Sequence, residues 1–250
     1  MENITSRKNK IAVHLRTLGR EAAYRRQCGS FVCDGYKLLE EALHAGAEVE
    51  CVLWRGRPMF ALPPEIEAYT APDELFDYVS PLKNSPGPVF SLKMPRQAEE
   101  LPGRRVIILE NVQDPGNVGT VVRTANALGY DAVVLTGACA DLYSPKTARA
   151  TMGAIFRQCV LHLPAEELRP LLAARGLRLI GAALTEQATD IRSTELSDCA
   201  VCIGSEGRGL SREMLELCDG QLIIPMQPDS ESFNAAVAAA IVMWETVRTD

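Results

Sequence analysis

Five apolar runs in the second half of the chain restrict its fold more than any other feature. They read "VIILE" (106–110), "DAVVLT" (131–136), "LRLIGAAL" (177–184), "AVCIG" (200–204) and "LIIPM" (222–226). Helix-like segments separate or follow them, near 118–128, 146–157, 165–175, 211–217 and 234–248. Strands that are apolar on both faces need cover on both faces, and intervening helices supply it. The alternation therefore predicts an α/β domain with a mainly parallel sheet.

The first part of the chain mixes helix and strand with a different texture. A helix is expected over 4–18, and a strand at "SFVCDG" (30–35). An amphipathic helix follows at "YKLLEEALHAG", closed by Gly46. Further strands are expected at "EVECVLWRG" (48–56) and, after turn chemistry at Pro86-Gly87, at "VFSLK" (89–93). The polar stretch "RQAEELPGR" (96–104) reads as a linker. Two domains are expected, 1–95 and 105–250, joined by 96–104.

Composition removes several function classes. No apolar run approaches the roughly 20 residues of a membrane span. The start, "MENITSRKNK", lacks the apolar core of a signal peptide, so a cytoplasmic protein is expected. Eight cysteines at uneven spacing do not make a disulfide framework. Cys199 and Cys202 have C-x-x-C spacing, but on a strand such positions point to opposite faces, and no second pair completes a zinc site. No metal is expected. The net charge of −6 does not suggest a polyanion partner, yet residues 1–26 hold seven Lys or Arg against Glu2 and Glu21. Within that segment Arg7, Lys8, Lys10, Arg25 and Arg26 are candidate contacts to the charges of a polyanion; a solvated helix face is the other reading.

Three stretches carry candidate chemistry. In "IILENVQDPGNVGTVVRTA" (107–125) a strand, a turn and a helix succeed one another. The glycines, Gly116 and Gly119, lack the third glycine of a dinucleotide fingerprint, and no G-K-[ST] follows for a phosphate loop. That spacing disfavours a nicotinamide-dependent oxidoreductase. What remains is Asn117 at the helix start and Arg123, whose planar fork suits a phosphate or a carboxylate; a helix cap and a surface arginine are the plain alternative. In "CIGSEGRGLS" (202–211) three glycines follow a buried strand and admit a ligand close to backbone, with Glu206 as the acidic group. A solvated Glu206–Arg208 pair is the alternative. In "LIIPMQPDSESFNAAVAAAIVMWETV" (222–247) a strand stops at Pro225, a polar loop follows, and Ser232 and Asn234 open an alanine-rich helix.

In this order the three stretches resemble the motifs of the SpoU/TrmH family of RNA ribose 2′-O-methyltransferases, of the SPOUT class. The family pattern N-x-G-x-x-x-R-T-A is matched from Asn117 to Ala125. G-S-E-G-x-G-L is matched from Gly204 to Leu210. I-P-M and S-L-N are matched at Ile224-Pro225-Met226 and Ser232-Phe233-Asn234, with Phe233 in place of leucine. The first part is similar, more loosely, to an L30e-like substrate-binding domain. The resemblance implies a deep trefoil knot in residues 105–250, a homodimer, and S-adenosylmethionine held by Gly204, Gly209, Ile224, Met226 and Phe233. It implies a catalytic set of Asn117, Arg123, Glu206, Ser232 and Asn234. It also implies methylation of a ribose 2′-hydroxyl, foremost of a guanosine in 23S ribosomal RNA. A transfer-RNA methyltransferase and a non-catalytic RNA-binding protein of the same fold are the alternatives.

Overall fold

The computed structural model describes residues 1–227 and 232–249. Most of the polar loop expected after Pro225, residues 228–231, lies outside the described residues. The chain forms two compact units, residues 1–96 with 141–156, and residues 97–140 with 157–250.

The first unit runs β1 (Glu2–Asn3), α1 (Lys10–Arg20), α2 (Ala22–Cys28), β2 (Ser30–Asp34), α3 (Tyr36–His44), β3 (Val49–Arg55), β4 (Glu67–Ala71), α4 (Asp73–Val79) and β5 (Val89–Lys93). The sheet order is β1-β4-β3-β5-β2, with β5 antiparallel to both neighbours. On one face Leu15 and Leu18 of α1 and Phe76 and Val79 of α4 pack on Val32, Leu53 and Val89. The helix expected from residue 4 begins only at Lys10. Ile4 is buried and donates its N–H to Thr70 O at 2.8 Å, extending the pairing of β1 with β4. Asn9 then caps α1 by accepting the Ile11 N–H at 2.8 Å. Gly46 closes α3 as expected, at φ +69.

Residues 141–156 join this unit, and a short helix, Pro145–Ala150, packs on β2. The single helix expected over 146–157 is broken. Met152 and Gly153 adopt φ 49 and 91, which a right-handed helix cannot hold, and one 3-10 turn at Ala154–Phe156 follows.

The second unit begins with β6 (Val106–Glu110), α5 (Pro115–Ala127) and β7 (Ala132–Thr136). After the excursion into the first unit (α6, Pro145–Ala150) it continues with β8 (Cys159–His162), α7 (Leu168–Ala173), β9 (Arg178–Ala182), β10 (Thr189–Asp190), β11 (Cys199–Ile203), α8 (Arg212–Leu217), β12 (Gly220–Ile223) and α9 (Ala235–Thr249). Seven strands pair in the order β10-β12-β9-β11-β6-β7-β8, every pair parallel. The expected α/β class with a parallel sheet is what forms. Ile108, Val134, Leu161, Leu179 and Cys202 fill the core on one face with Leu172 and Met214 from the helices. Cys199 and Cys202 lie in β11, both buried as free thiols, and burial pushes Cys199 up to about 11.

Candidate active site

The carboxyl ends of β12, β9 and β11 are neighbours in the sheet, and a cavity of about 550 Å³ opens beside them. Open parallel sheets place ligand crevices at that end because the loops leaving the strands diverge there. Residues from four segments line it, in 182–185 after β9, 203–210 after β11, 222–226 at the end of β12, and 232–238 at the start of α9, and Leu215 of α8 joins them. Gly204, Gly209, Ile224, Met226 and Phe233, the residues singled out for a cofactor, all line this one cavity, together with Glu206 and Ser232. Leu184 and Thr185 also line it. No motif marked them, because an ordinary Ala-Leu-Thr carries no glycine or cap signature.

The glycines of the loop after β11 act differently from the expectation. A Cβ on Gly204 would lie 2.1 Å from Gly209 C and 2.4 Å from Leu210 N, so the position is closed by the loop's own backbone. Ser205 N–H donates to Gly209 O at 3.1 Å and Gly209 N–H returns to Ser205 O at 2.8 Å. Gly209 sits at φ +65, where a side chain is costly. Gly204 and Gly209 thus fold the loop into a tight hairpin, and ligand approach is a consequence of that shape. Gly207, with open space around its Cα, has no such duty.

Glu206 at the tip of this hairpin does not pair with Arg208. Its Oε1 accepts from Asn117 Nδ2, from Asn234 Nδ2 at 2.5 Å and from the Ala235 N–H at 3.4 Å. Asn234 Nδ2 also reaches Asn117 Oδ1 at 3.1 Å. Residues from three distant motifs therefore form one polar cluster, with Glu206 shared between cluster and cavity. Asn234 Oδ1 accepts the N–H groups of Ala236 and Val237 at 3.0 and 3.3 Å, so it caps α9 while its amide nitrogen points to Glu206.

Asn117 is not the helix start. Asp114 is the cap of α5, accepting the Asn117 N–H at 3.0 Å, and Pro115 opens the helix. The shift frees the Asn117 side chain for the cluster. Arg123 stands apart from it. Six residues further along α5 is about 9 Å along the axis and roughly 120° around it. Arg123 is exposed, and no hydrogen bond or ion pair joins it to another described residue. Asn117 and Arg123 are not brought together at one helix entrance. Ser232 lines the cavity, and its hydroxyl has no hydrogen-bond partner among the described residues.

The basic N-terminal residues divide. Arg7, Lys8, Lys10 and Arg26 are exposed, with the Arg7 guanidinium 4.6 Å from the centre of the Tyr78 ring. Arg25, a candidate RNA contact, is buried. Its guanidinium donates to Leu18 O at 2.7 Å and to Asp141 Oδ2 at 2.5 Å, both in the first unit. Those bonds occupy the fork, so Arg25 holds residue 141 to α2 and is not available to a phosphate.

Among the described residues no group of three His, Cys, Asp or Glu side chains is placed to hold a metal, and no helix is long and apolar enough to cross a membrane.

Residues 104–244 match the family model described as the SpoU rRNA Methylase family. The 23S rRNA (guanosine(2553)-2′-O)-methyltransferase RlmP of Bacillus subtilis (strain 168) is 31% identical over 246 residues, spanning 98% of each chain. A 23S rRNA (uridine(2479)-2′-O)-methyltransferase of Streptomyces viridochromogenes is 29% identical over 269 residues, covering 98% of this chain and 91% of that one. The solved structure of the SpoU methyltransferase AviRb from Streptomyces viridochromogenes, in complex with the cofactor AdoMet, superposes with a TM-score of 0.87 at 25% identity. It covers 97% of this chain and 98% of that one. With more than half its length matched by the family model and a full-length relative at this identity, the chain belongs to the SpoU rRNA methylase family.

Proposed function

We propose that this chain transfers the methyl group of S-adenosylmethionine to the 2′-hydroxyl of one ribose in 23S ribosomal RNA, that of a guanosine. One observation carries the reading: Asn117, Glu206 and Asn234, from three separate motifs, meet at the wall of a cavity whose lining includes every residue assigned to the cofactor. Two full-length relatives that bear 23S rRNA 2′-O-methyltransferase names support the ribosomal substrate.

The residues present suit the cofactor. The cavity volume is in the range of small-molecule sites. Ile203, Leu222, Ile224, Met226 and Phe233 offer apolar surface for a nucleoside, and Glu206 is the one acidic side chain among the described lining residues, suited to a cationic sulfonium. Bound there, S-adenosylmethionine supplies an electrophilic methyl group. The chain's part is to orient one hydroxyl in line with that methyl and to ease the loss of its proton. Asn117 and Asn234 hold the Glu206 carboxylate in a fixed place, and Ser232 offers a hydroxyl to the ribose. Arg123 acts through charge and geometry. A guanidinium keeps its proton at working pH, so it orients the target phosphate and stabilises the forming oxyanion without serving as a base.

The remaining parts of the reading are assigned on the same basis. The second unit forms a deep trefoil knot, as the SpoU structural likeness suggests. The first unit, with residues 1–95, acts as an L30e-like platform on which Arg7, Lys8, Lys10 and Arg26 meet RNA phosphates in the cytoplasm. Two copies pair through α9, where Val237 and Trp244 leave 46% and 58% of their surface exposed beside Asn117 and Thr120. Comparing ribose methylation across ribosomal and transfer RNA from cells with and without the gene tests the substrate. Loss of one 2′-O-methyl guanosine in 23S rRNA is the expected result, and loss confined to transfer RNA would overturn it.

A further inference from the structure

The glycine loop that walls the cavity ends at Ser211, and Ser211 is held by a residue outside the three motifs. Glu110 is the last residue of β6 and only 5% exposed. One carboxylate oxygen accepts the Ser211 N–H at 2.8 Å and the other accepts the Ser211 hydroxyl at 2.6 Å. The Ser211 oxygen in turn accepts the Met214 N–H at 3.0 Å, capping α8. A serine alone suffices to cap a helix. The buried carboxylate beneath it is an added cost, since a charge leaves water only when its oxygens find donors. Here both donors belong to the same residue, so Glu110 fixes the position of Ser211 and little else.

That position matters for the cavity. Residues 203–210 line it, and Ser211 is the next residue in the chain. At its other side the hairpin is tied through Glu206 to Asn117 and Asn234. Between the two ties, Ser205 and Gly209 exchange backbone bonds, and Leu210 is seated over Gly181, where a Cβ would lie 2.8 Å from its Cδ1. The wall is thus pinned at both ends by a carboxylate, one at the catalytic cluster and one at the end of β6. A wall held in place before the ligand arrives does not have to be ordered on binding.

We propose that Glu110 is a positioning residue for the cofactor: through Ser211 it holds the 204–210 wall in its binding shape. The proposal rests on the reading that this cavity takes S-adenosylmethionine. Calorimetric titration of S-adenosylmethionine into the full-length protein tests it, with Glu110→Ala, Glu110→Gln, Ser211→Ala and, as a control, Leu161→Ala. Leu161 is a buried residue of β8 at the opposite edge of the sheet. Loss of two hydrogen bonds to a charged group predicts a Kd raised roughly ten- to a hundredfold in Glu110→Ala. Glu110→Gln keeps one good acceptor and recovers part of the loss. Ser211→Ala keeps its N–H donor and weakens binding by about threefold to tenfold. KM for S-adenosylmethionine rises in the same order while KM for RNA stays constant, and Leu161→Ala lowers Tm without moving Kd. Equal affinity in wild type, Glu110→Ala and Ser211→Ala overturns the proposal, as does equal weakening by Leu161→Ala. If Glu110→Ala does not fold, unchanged affinity in both Glu110→Gln and Ser211→Ala overturns it. Failure of the wild type itself to bind overturns the reading of the cavity instead.

Discussion

The glycine hairpin of the second unit and the basic N-terminal segment of the first were both expected to bind a partner, and they divide that work differently. In the hairpin, backbone shape leaves little freedom, so residues named from sequence arrive together at one cavity. In the N-terminal segment, adjacent arginines have opposite fates. Arg25 is buried on Leu18 and Asp141, and Arg26 is exposed. A glycine is required by steric limits that act locally. An arginine's role is set by what the rest of the chain brings to it.

The sharpest way to break the comparison is at Gly204. A valine there must displace the Gly209 and Leu210 backbone, so Gly204→Val should abolish measurable S-adenosylmethionine binding in a calorimetric titration. Gly207→Ala, with nothing near its Cα, should bind as wild type. If both behave alike, steric closure is not what makes the hairpin.

The next effect is at Arg25. Removing one partner of a buried charge pair costs up to about 3–5 kcal/mol. Asp141 keeps 33% of its side chain exposed, so solvent screening reduces this for Arg25→Ala to about 2–3 kcal/mol. Denaturant unfolding should report that loss, with Arg26→Ala within about 0.5 kcal/mol of wild type. For RNA affinity the order inverts. Arg26→Ala and Lys8→Ala should each weaken binding severalfold and lower the salt slope by about one. An unchanged slope would remove those side chains from the RNA surface.

Much of this was legible in the sequence for physical reasons. Apolar runs on both strand faces dictated a parallel sheet, and Gly46 marked a helix end because a left-handed position favours glycine. The site's three motifs were legible as a set. Their connection through Glu206 was not, because Asn117, Glu206 and Asn234 are separated by 89 and 28 positions and meet only through the sheet order. Asp114 rather than Asn117 caps α5, since two cap-capable residues three apart look alike until the turn is built. Ile4 looked helical because a two-residue strand carries no periodicity. Residues 141–156 follow the second unit's strand β7 in sequence yet fold with the first, through contacts that no local pattern announces: the Arg25–Asp141 pair, the Tyr143 ring on Phe31 and the packing of α6 on β2.

The smallest expected effect lies at His14, on α1 of the first unit. Its Nδ1 is 3.0 Å from the Tyr24 hydroxyl, and burial holds it below its ordinary 6.5, with the Lys93 charge acting the same way against the opposing pull of Glu50. The unfolded chain therefore binds the proton more readily. The stability this contributes is complete above pH 6.5 and is lost as pH falls below it, levelling off under the folded value. His14→Gln should flatten that part of a stability-against-pH curve. An unaltered curve would mean that His14 is solvated like the exposed face of α1.

The central claim is methyl transfer to a ribose oxygen. The purified protein, given S-adenosylmethionine with a labelled methyl group and 23S rRNA lacking the modification, should label one nucleotide. Its 3′ phosphodiester bond should then resist alkaline cleavage, because the neighbouring 2′-oxygen is blocked, and Gly204→Val should give no label. Label on a base, with every phosphodiester bond still cleaved by alkali, would contradict the claim.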